Sequence, residues 1–193
     1  MTQPFIRVEI LGRPLVLETD PGLFSPAHAD RGTLAMLSCA HFEPGMKVLD
    51  LGCGCGLVGI LAAQVCGEAN VILSDIDPVA VAVARRNAAR NGVGGVTVVE
   101  SDGFNDLDAA GFDLILSNPP YQSDFSVAKG FIEKGFNRLK TGGRLLMVTK
   151  RREWYRNKLV HIFGGVRIHE IDGYHVFEAE RRTARYASPV KRR

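Results

Sequence analysis

Two short stretches of this chain combine residue types that can do chemistry. In Asn118-Pro119-Pro120-Tyr121, the consecutive prolines stop the apolar run before them and rigidify the loop, so the Asn118 side chain and the Pro119 carbonyl become fixed acceptors. Two such acceptors can hold both N–H bonds of a planar amino group, as on adenine, guanine, cytosine or an amide, and fix its nitrogen for reaction. Tyr121 offers a face on which the planar acceptor can stack. The second stretch, Val48-Leu49-Asp50-Leu51-Gly52-Cys53-Gly54-Cys55-Gly56, reads as a buried strand turning into a helix. Glycine at 52, 54 and 56 permits positive φ and lets a ligand lie against main-chain N–H groups. The spacing is neither the Gly-x-Gly-x-x-Gly of a dinucleotide fold nor a phosphate-cradling loop with Lys-Ser/Thr. A carboxylate at Asp50 would repel a pyrophosphate and suits a cationic or amine-bearing ligand.

The elements that must position these residues alternate from Lys47 onward. Strand 47–51 leads to helix 57–66, strand 70–74 to helix 78–91, strand 96–99 to a loop, strand 112–116 to helix 126–139, and strand 143–149 to helix 152–162. Strands 166–170 and 174–180 follow, separated only by Ile171-Asp172-Gly173, too short for a parallel crossover. The expected fold is therefore α/β, a Rossmann-like, doubly wound, mostly parallel seven-stranded sheet with a C-terminal antiparallel hairpin and helices on both faces. Ahead of it, residues 5–18 alternate around Gly12-Arg13-Pro14 as a small hairpin, and a polar, turn-rich stretch feeds a helix from Thr33 to His41. Residues 1–180 are expected to form one domain, with 1–32 as hairpin and lid-like segment, and 181–193 a basic tail.

Ligands of open α/β sheets gather at the carboxyl ends of the strands, so the chemistry is expected at the strand ends. Asp75 lies 25 residues beyond Asp50, where a carboxylate can accept both hydroxyls of a ribose, with Ile76 beside it. Asp77 reads as a helix N-cap with Pro78 at the first helical position. Asp102, followed by Gly103 and Phe104, can accept the amino group of an adenine ring on which Phe104 packs. Lys150, Arg151 and Arg152 follow the fifth strand, with Trp154 and Tyr155 close behind, a basic and aromatic cluster able to hold a nucleic-acid backbone. The alternative for that cluster is a solvated helix face with Trp154 packed inward.

Composition bounds the function class. At 193 residues, 46% hydrophobic and 23% charged, the chain is an ordinary globular size and mix. It has no apolar run of the roughly 18–20 residues a bilayer span needs and no signal-peptide pattern, so a cytoplasmic protein without membrane contact is expected. Cys39, Cys53, Cys55 and Cys66 lack metal-ligand pairing, and the five histidines have no ligand spacing; no metal is expected, and of the histidines only His28 lies where it can touch substrate. Residues 181–193 hold six basic side chains and no acid, leaving 18 basic and 21 acidic ones in residues 1–180. Such a tail can hold a polyanion or simply be solvated.

Asp50-x-Gly-x-Gly-x-Gly, Asp75, Asp102 and Asn118-Pro-Pro-Tyr121 together resemble the class I S-adenosylmethionine-dependent "small domain" methyltransferases, and most closely the catalytic half of the ribosomal RNA small-subunit guanine-N2 enzymes. Phe24-Ser25 with Asp30-Arg31-Gly32-Thr33 resembles the family's segment ahead of the glycine turn, so the likeness spans roughly residues 15–180. The resemblance implies S-adenosyl-L-methionine as cofactor and methyl transfer to an exocyclic amino nitrogen of an RNA base, ribosomal RNA being the expected substrate and guanine N2 favoured over adenine N6. It implies catalysis by Asn118, Pro119 and Tyr121 and cofactor binding by Asp50, Gly52, Gly54, Gly56, Asp75, Ile76, Asp102, Gly103, Phe104 and Asn118; Pro120 and, from their charge and place at the substrate end of the sheet, Lys150, Arg151 and Arg152 are expected to bind substrate. Asn-Pro-Pro-Tyr is shared with adenine-N6 and protein glutamine-N5 methyltransferases. The chain also departs from the guanine enzymes at Tyr121-Gln122-Ser123-Asp124, where they carry Phe and a His-Asp pair, and no counterpart of their degenerate second domain is expected within its 193 residues. A glutamine-N5 enzyme and a non-catalytic cofactor-binding assembly factor are the rival expectations, and the chain is expected as monomer or homodimer.

Overall fold

The computed structural model describes residues 5–20, 22, 29–120 and 125–187. Seven strands form one sheet: β3 (Val48–Leu51), β4 (Val71–Asp75), β5 (Thr97–Glu100), β6 (Phe112–Ser117), β7 (Leu139–Thr149), β8 (Arg167–Ile171) and β9 (Tyr174–Glu180). Their order is β5-β4-β3-β6-β7-β9-β8, parallel from β5 to β7, with β9 antiparallel to both neighbours. Chain order reverses at β3, which lies between β4 and β6, and that is where an open α/β sheet leaves a crevice at its carboxyl edge.

Strand alternation divides the apolar residues into two cores. Val48, Leu114, Leu116, Leu146 and Val148 face one side, beneath α1 (Arg31–Cys39), α2 (Leu57–Cys66) and α3 (Pro78–Arg90). Leu49, Leu51, Ile115, Leu145 and Met147 face the other, beneath α4 (Phe125–Arg138) and α5 (Arg152–Phe163). All four side chains of β3 are buried, as a central parallel strand covered on both faces requires.

Element boundaries differ from expectation where local chemistry decides. Helix α1 starts two residues earlier than expected because Asp30 caps it, its carboxylate accepting from the Thr33 N–H at 2.7 Å. Strand β7 begins at Leu139 rather than 143, since Leu139 pairs with Phe112 across an irregularity in the ladder. Gly143 allows that approach: a Cβ there would sit 2.5 Å from the Phe112 carbonyl oxygen. A short 3-10 turn, Glu68–Asn70, precedes β4. Residues 181–187, expected as the start of a basic tail, lie against the fold instead: Arg181 pairs with Gly142 and Gly143, the Tyr186 hydroxyl donates to Glu133 O at 3.0 Å, and Ala187 N–H donates to Ile162 O. Residues 188–193 lie outside the described residues.

The N-terminal hairpin, β1 (Phe5–Ile10) and β2 (Arg13–Glu18), turns on Leu11-Gly12, both left-handed at φ 52° and 71°, one residue earlier than expected. It is anchored by helix α3 rather than by the large sheet. Asn91 exchanges two hydrogen bonds with the Val16 backbone at 3.0 and 2.9 Å, and Asn87 does the same with Glu18 at 2.7 and 2.8 Å. Asparagines four apart on one helix face thus serve as partners for two residues on one strand edge. Asn87 also donates to Cys55 O at 2.9 Å, tying the hairpin to the glycine turn. Asn87 is fully buried, so Asn87→Leu strands the Glu18 N–H and C=O without partners. A loss of about 3 kcal/mol in unfolding free energy, from two or three buried groups at about 1–3 kcal/mol each, is expected, seen as a lower denaturant midpoint at unchanged slope.

Candidate functional site

The carboxyl ends of β3, β4, β5 and β6, with α1 and α4 beside them, surround a cavity of about 350 Å³, within the range of small-molecule sites. Its floor is the turn after β3. Gly52 and Gly54 are left-handed at φ 78° and 53°, and both line the cavity; among the described residues a Cβ on either would meet no atom within 4 Å, which leaves open space for a ligand. Gly56, also left-handed at φ 88°, does not line it. A Cβ there would meet Ala84, Ile60 and Leu73 at 3.2 Å, so its role is to let α2 pack against α3 and β4. The expectation that main-chain N–H groups of this turn face a ligand is corrected as well. Those of Gly52 and Cys53 donate to Ser74 O, and that of Gly54 to Asp75 Oδ2 at 2.8 Å. What the floor offers is bare Cα surface.

Asp50 enters the cavity wall from the middle of β3, 3% exposed, and accepts from the Gly59 N–H at 2.8 Å. Burial pushes its carboxyl up to about 7, the Gly59 hydrogen bond opposing and the nearby Asp75 carboxylate reinforcing the rise. Near neutral pH it is therefore a carboxyl that a cationic ligand would ionise fully. Asp75, at the end of β4, is held by two backbone N–H groups, Gly54 on Oδ2 and Asp77 on Oδ1 at 3.0 Å. Asp77 caps α3 ahead of Pro78. Ile76 stands 64% exposed at the cavity wall, an apolar side chain that a flat apolar ligand would cover.

Asp102 and Gly103 also line the cavity, but Phe104 does not. It is 3% exposed and belongs to the core under α4, pointing away from the site. The aromatic wall comes instead from Phe131 on α4, whose ring would be 3.2 Å from a Cβ at Gly103. Sequence reasoning missed Phe131 because it is not a neighbour in the chain of any strand end.

Asn118, Pro119 and Pro120 close the cavity after β6, where the Ser117 hydroxyl donates to Leu51 O at 2.8 Å and binds that strand end to β3. The Asn118 amide nitrogen donates to Asp30 Oδ2 at 2.8 Å and to Thr33 Oγ1 at 3.0 Å. Its Oδ1 is buried and has no hydrogen-bond partner among the described residues. An unpaired buried acceptor costs stability, and this one belongs to a residue that lines the cavity. Asp30 and Thr33, noted in the sequence only for their resemblance to the family's segment ahead of the glycine turn, line the same cavity, with Asp30 as the N-cap of α1.

Tyr121, His28, Phe24 and Ser25 lie outside the described residues. Lys150, Arg151 and Arg152 are not in the cavity wall; they gather beside it at the end of β7. Lys150 Nζ lies 4.9 Å over the Tyr174 ring and the Arg151 guanidinium 5.1 Å over Phe125, while Arg152 pairs with Glu153 at 2.8 Å and Glu170 at 3.5 Å. Trp154 stacks on Phe125 at 4.3 Å, so it packs onto the start of α4. Among the described residues no group of acidic, histidine and cysteine side chains is arranged to hold a metal, and no helix is long and apolar enough to cross a membrane.

Comparison with known proteins places this geometry. The sequence pattern of the methyltransferase small domain matches residues 14–178. The ribosomal RNA small subunit methyltransferase C of Pseudomonas putida is 32% identical over 173 residues, 87% of this chain and 52% of that protein. Its counterpart in Hahella chejuensis is 35% identical over 158 residues, 80% and 46% of the two chains. A Thermus thermophilus 16S rRNA guanine-N2 methyltransferase, solved with AdoMet and guanosine, superposes with a TM-score of 0.83 at 26% identity, covering 94% of this chain and 52% of that one. The chain spans about half the length of the curated relatives it matches.

Proposed function

The chain belongs to the methyltransferase small-domain family, and from that premise we propose that it transfers a methyl group from S-adenosyl-L-methionine to an exocyclic amino nitrogen of an RNA base, guanine N2 in small-subunit ribosomal RNA, in the cytoplasm. The observation that carries the reading is the buried Asn118 Oδ1, an acceptor with no partner among the described residues, set in the wall of a cavity whose floor is bare glycine. Such an atom calls for an N–H donor, and an exocyclic amine supplies one.

The residues present fit the cofactor. Gly52 and Gly54 give it room that any side chain would fill. Asp50, Asp75, Ile76, Asp102 and Phe131 all line the cavity: Asp50 would meet the cofactor's ammonium group, Asp75 would accept the ribose hydroxyls, and Ile76 and Phe131 would lie beside the adenine, whose amino group Asp102 would accept. The bound cofactor supplies an electrophilic methyl on a sulfonium. Everything else is positioning. Asn118 Oδ1 and the Pro119 carbonyl take the two N–H bonds of the amine, which fixes the nitrogen and directs its lone pair at the methyl carbon. The proton leaves to water after transfer, so no general base is needed. Lys150 and Arg151, whose charges rest on aromatic rings and not on carboxylates, hold the RNA backbone beside the cavity, with Arg152 partly neutralised by its two glutamates. The relatives named above support RNA as the substrate class.

The test is transfer of labelled methyl from S-adenosyl-L-methionine into extract of a strain lacking this gene, followed by separate nuclease and protease digestion. Label that nuclease releases, and that nucleoside analysis finds in N2-methylguanosine, is expected. Label that resists nuclease and yields to protease overturns the RNA reading in favour of a protein amide.

A further inference from the structure

An asparagine amide is nearly symmetric in shape, so half a turn about its last bond exchanges acceptor for donor at little steric cost. An Asn118 free to turn would present NH₂ to the cavity as readily as oxygen, and an amine donor could not bind to it. The partners of the other end decide the matter. Asp30 Oδ2 has only lone pairs to offer, and it stands 2.8 Å from Asn118 Nδ2, with Thr33 Oγ1 at 3.0 Å from the same nitrogen. Turning the amide would set two acceptor oxygens against each other at hydrogen-bond distance. The same Asp30 oxygen accepts from the Thr33 N–H at 2.7 Å, so the carboxylate is itself held by the first turn of α1.

We propose that Asp30 and Thr33 are positioning residues that lock the Asn118 amide with Oδ1 toward the cavity, and so make the site selective for an acceptor substrate that donates N–H. The proposal rests on the methyl-transfer reading. It adds that the polarity of the site is set by a helix N-terminus 88 residues away in the chain from the residue it orients. Because Thr33 Oγ1 receives the amide, its own O–H is turned elsewhere, and the two residues act on Asn118 only as acceptors.

Exchange of the two side chains tests it. Asp30→Asn keeps a good helix cap but gives the amide a partner that can donate as well as accept. Asn118→Asp puts a carboxylate against a carboxylate. The double variant restores a donor–acceptor pair and leaves a carboxylate oxygen facing the cavity. Expected are a kcat lowered about tenfold in Asp30→Asn, with cofactor affinity within about twofold, a larger loss in Asn118→Asp, and recovery of about tenfold over Asn118→Asp in the double variant. Thr33→Ser should retain the wild-type kcat, and Thr33→Val should lose several-fold, a split that a purely structural role would not produce. Melting temperatures report on the clamp without reference to turnover: Asn118→Asp should melt lower by about 3 °C or more, and Asp30→Asn added to it should restore that difference. Additive effects on both kcat and melting temperature overturn the clamp. A wild-type protein that transfers no methyl group sinks the methyl-transfer reading instead, and the melting cycle then decides the clamp alone.

Discussion

Asn118→Ala should lower the single-turnover rate of methyl transfer by roughly a hundred- to a thousand-fold, the loss typical when one preorganised hydrogen-bond partner of a reacting group is removed. Truncation at Cβ removes the acceptor for the amine and leaves Asp30 Oδ2 and Thr33 Oγ1 without the donor they share. The floor, Asp50, Asp75 and the apolar walls are untouched, so cofactor affinity should change by no more than about fivefold. That separation matters, because loss of cofactor binding would mean a collapsed cavity and not a missing acceptor. Rapid-quench measurement of labelled product, with calorimetric titration of the cofactor on the same preparation, gives both quantities. A variant that retains wild-type transfer would show that the amine is held elsewhere, and the proposed chemistry would lose its main support.

How much of this site could be read beforehand depends on where each residue's partner lies in the chain. The glycine turn, Asp75, Asp102 and Asn118-Pro119-Pro120 were legible because each sits at the end of an apolar strand run, and parallel strands deliver their ends to one edge. The final antiparallel hairpin of the seven-stranded sheet was legible because a link of the three residues 171–173 is too short to cross over a sheet. Phe104 misled because nearness to Asp102 in sequence was taken for nearness in space. The turn at Gly103, left-handed at φ 59°, sends that ring into the core and leaves the wall to Phe131. Asp30 lay in a stretch expected to be polar and turn-rich ahead of a helix starting at Thr33, whereas it caps α1; its further contact needs Asn118, which local pattern cannot supply. Asn87 and Asn91 carried no signal in the sequence, and they substitute for a neighbouring strand against β2. Hydrogen-bond partners across long sequence separations carry no periodicity, and that is the common cause.

Asp50→Asn should raise the stability of the free protein and at the same time weaken cofactor binding by at least about a hundredfold at pH 8. The carboxyl is raised from an unfolded value of 3.8 to about 7, chiefly by burial. With the folded value above the unfolded one, the proton is held more tightly by the folded state. Asp50 therefore leaves stability intact below about pH 4, erodes it progressively as pH rises toward 7, and exacts the full penalty above 7. Three pKa units correspond to about 4 kcal/mol. The variant recovers less, about 2 kcal/mol at pH 8, because the new NH₂ is buried in place of a charge. At pH 4 the carboxyl is neutral in the fold and only the cost of the buried NH₂ remains, so the variant should be less stable there by about 2 kcal/mol, and the two unfolding curves cross between pH 4 and pH 8. Binding runs the other way: the ionised carboxylate, costly while the cavity holds no cation, is what attracts the cofactor's ammonium group, and the neutral amide cannot replace it. Wild-type affinity should accordingly strengthen as pH rises through about 7, while that of the variant stays flat. Equal affinities in the two proteins at pH 8 would remove Asp50 from the cofactor site. Equal stabilities would instead mean that the buried carboxyl is already neutralised by a partner within the fold.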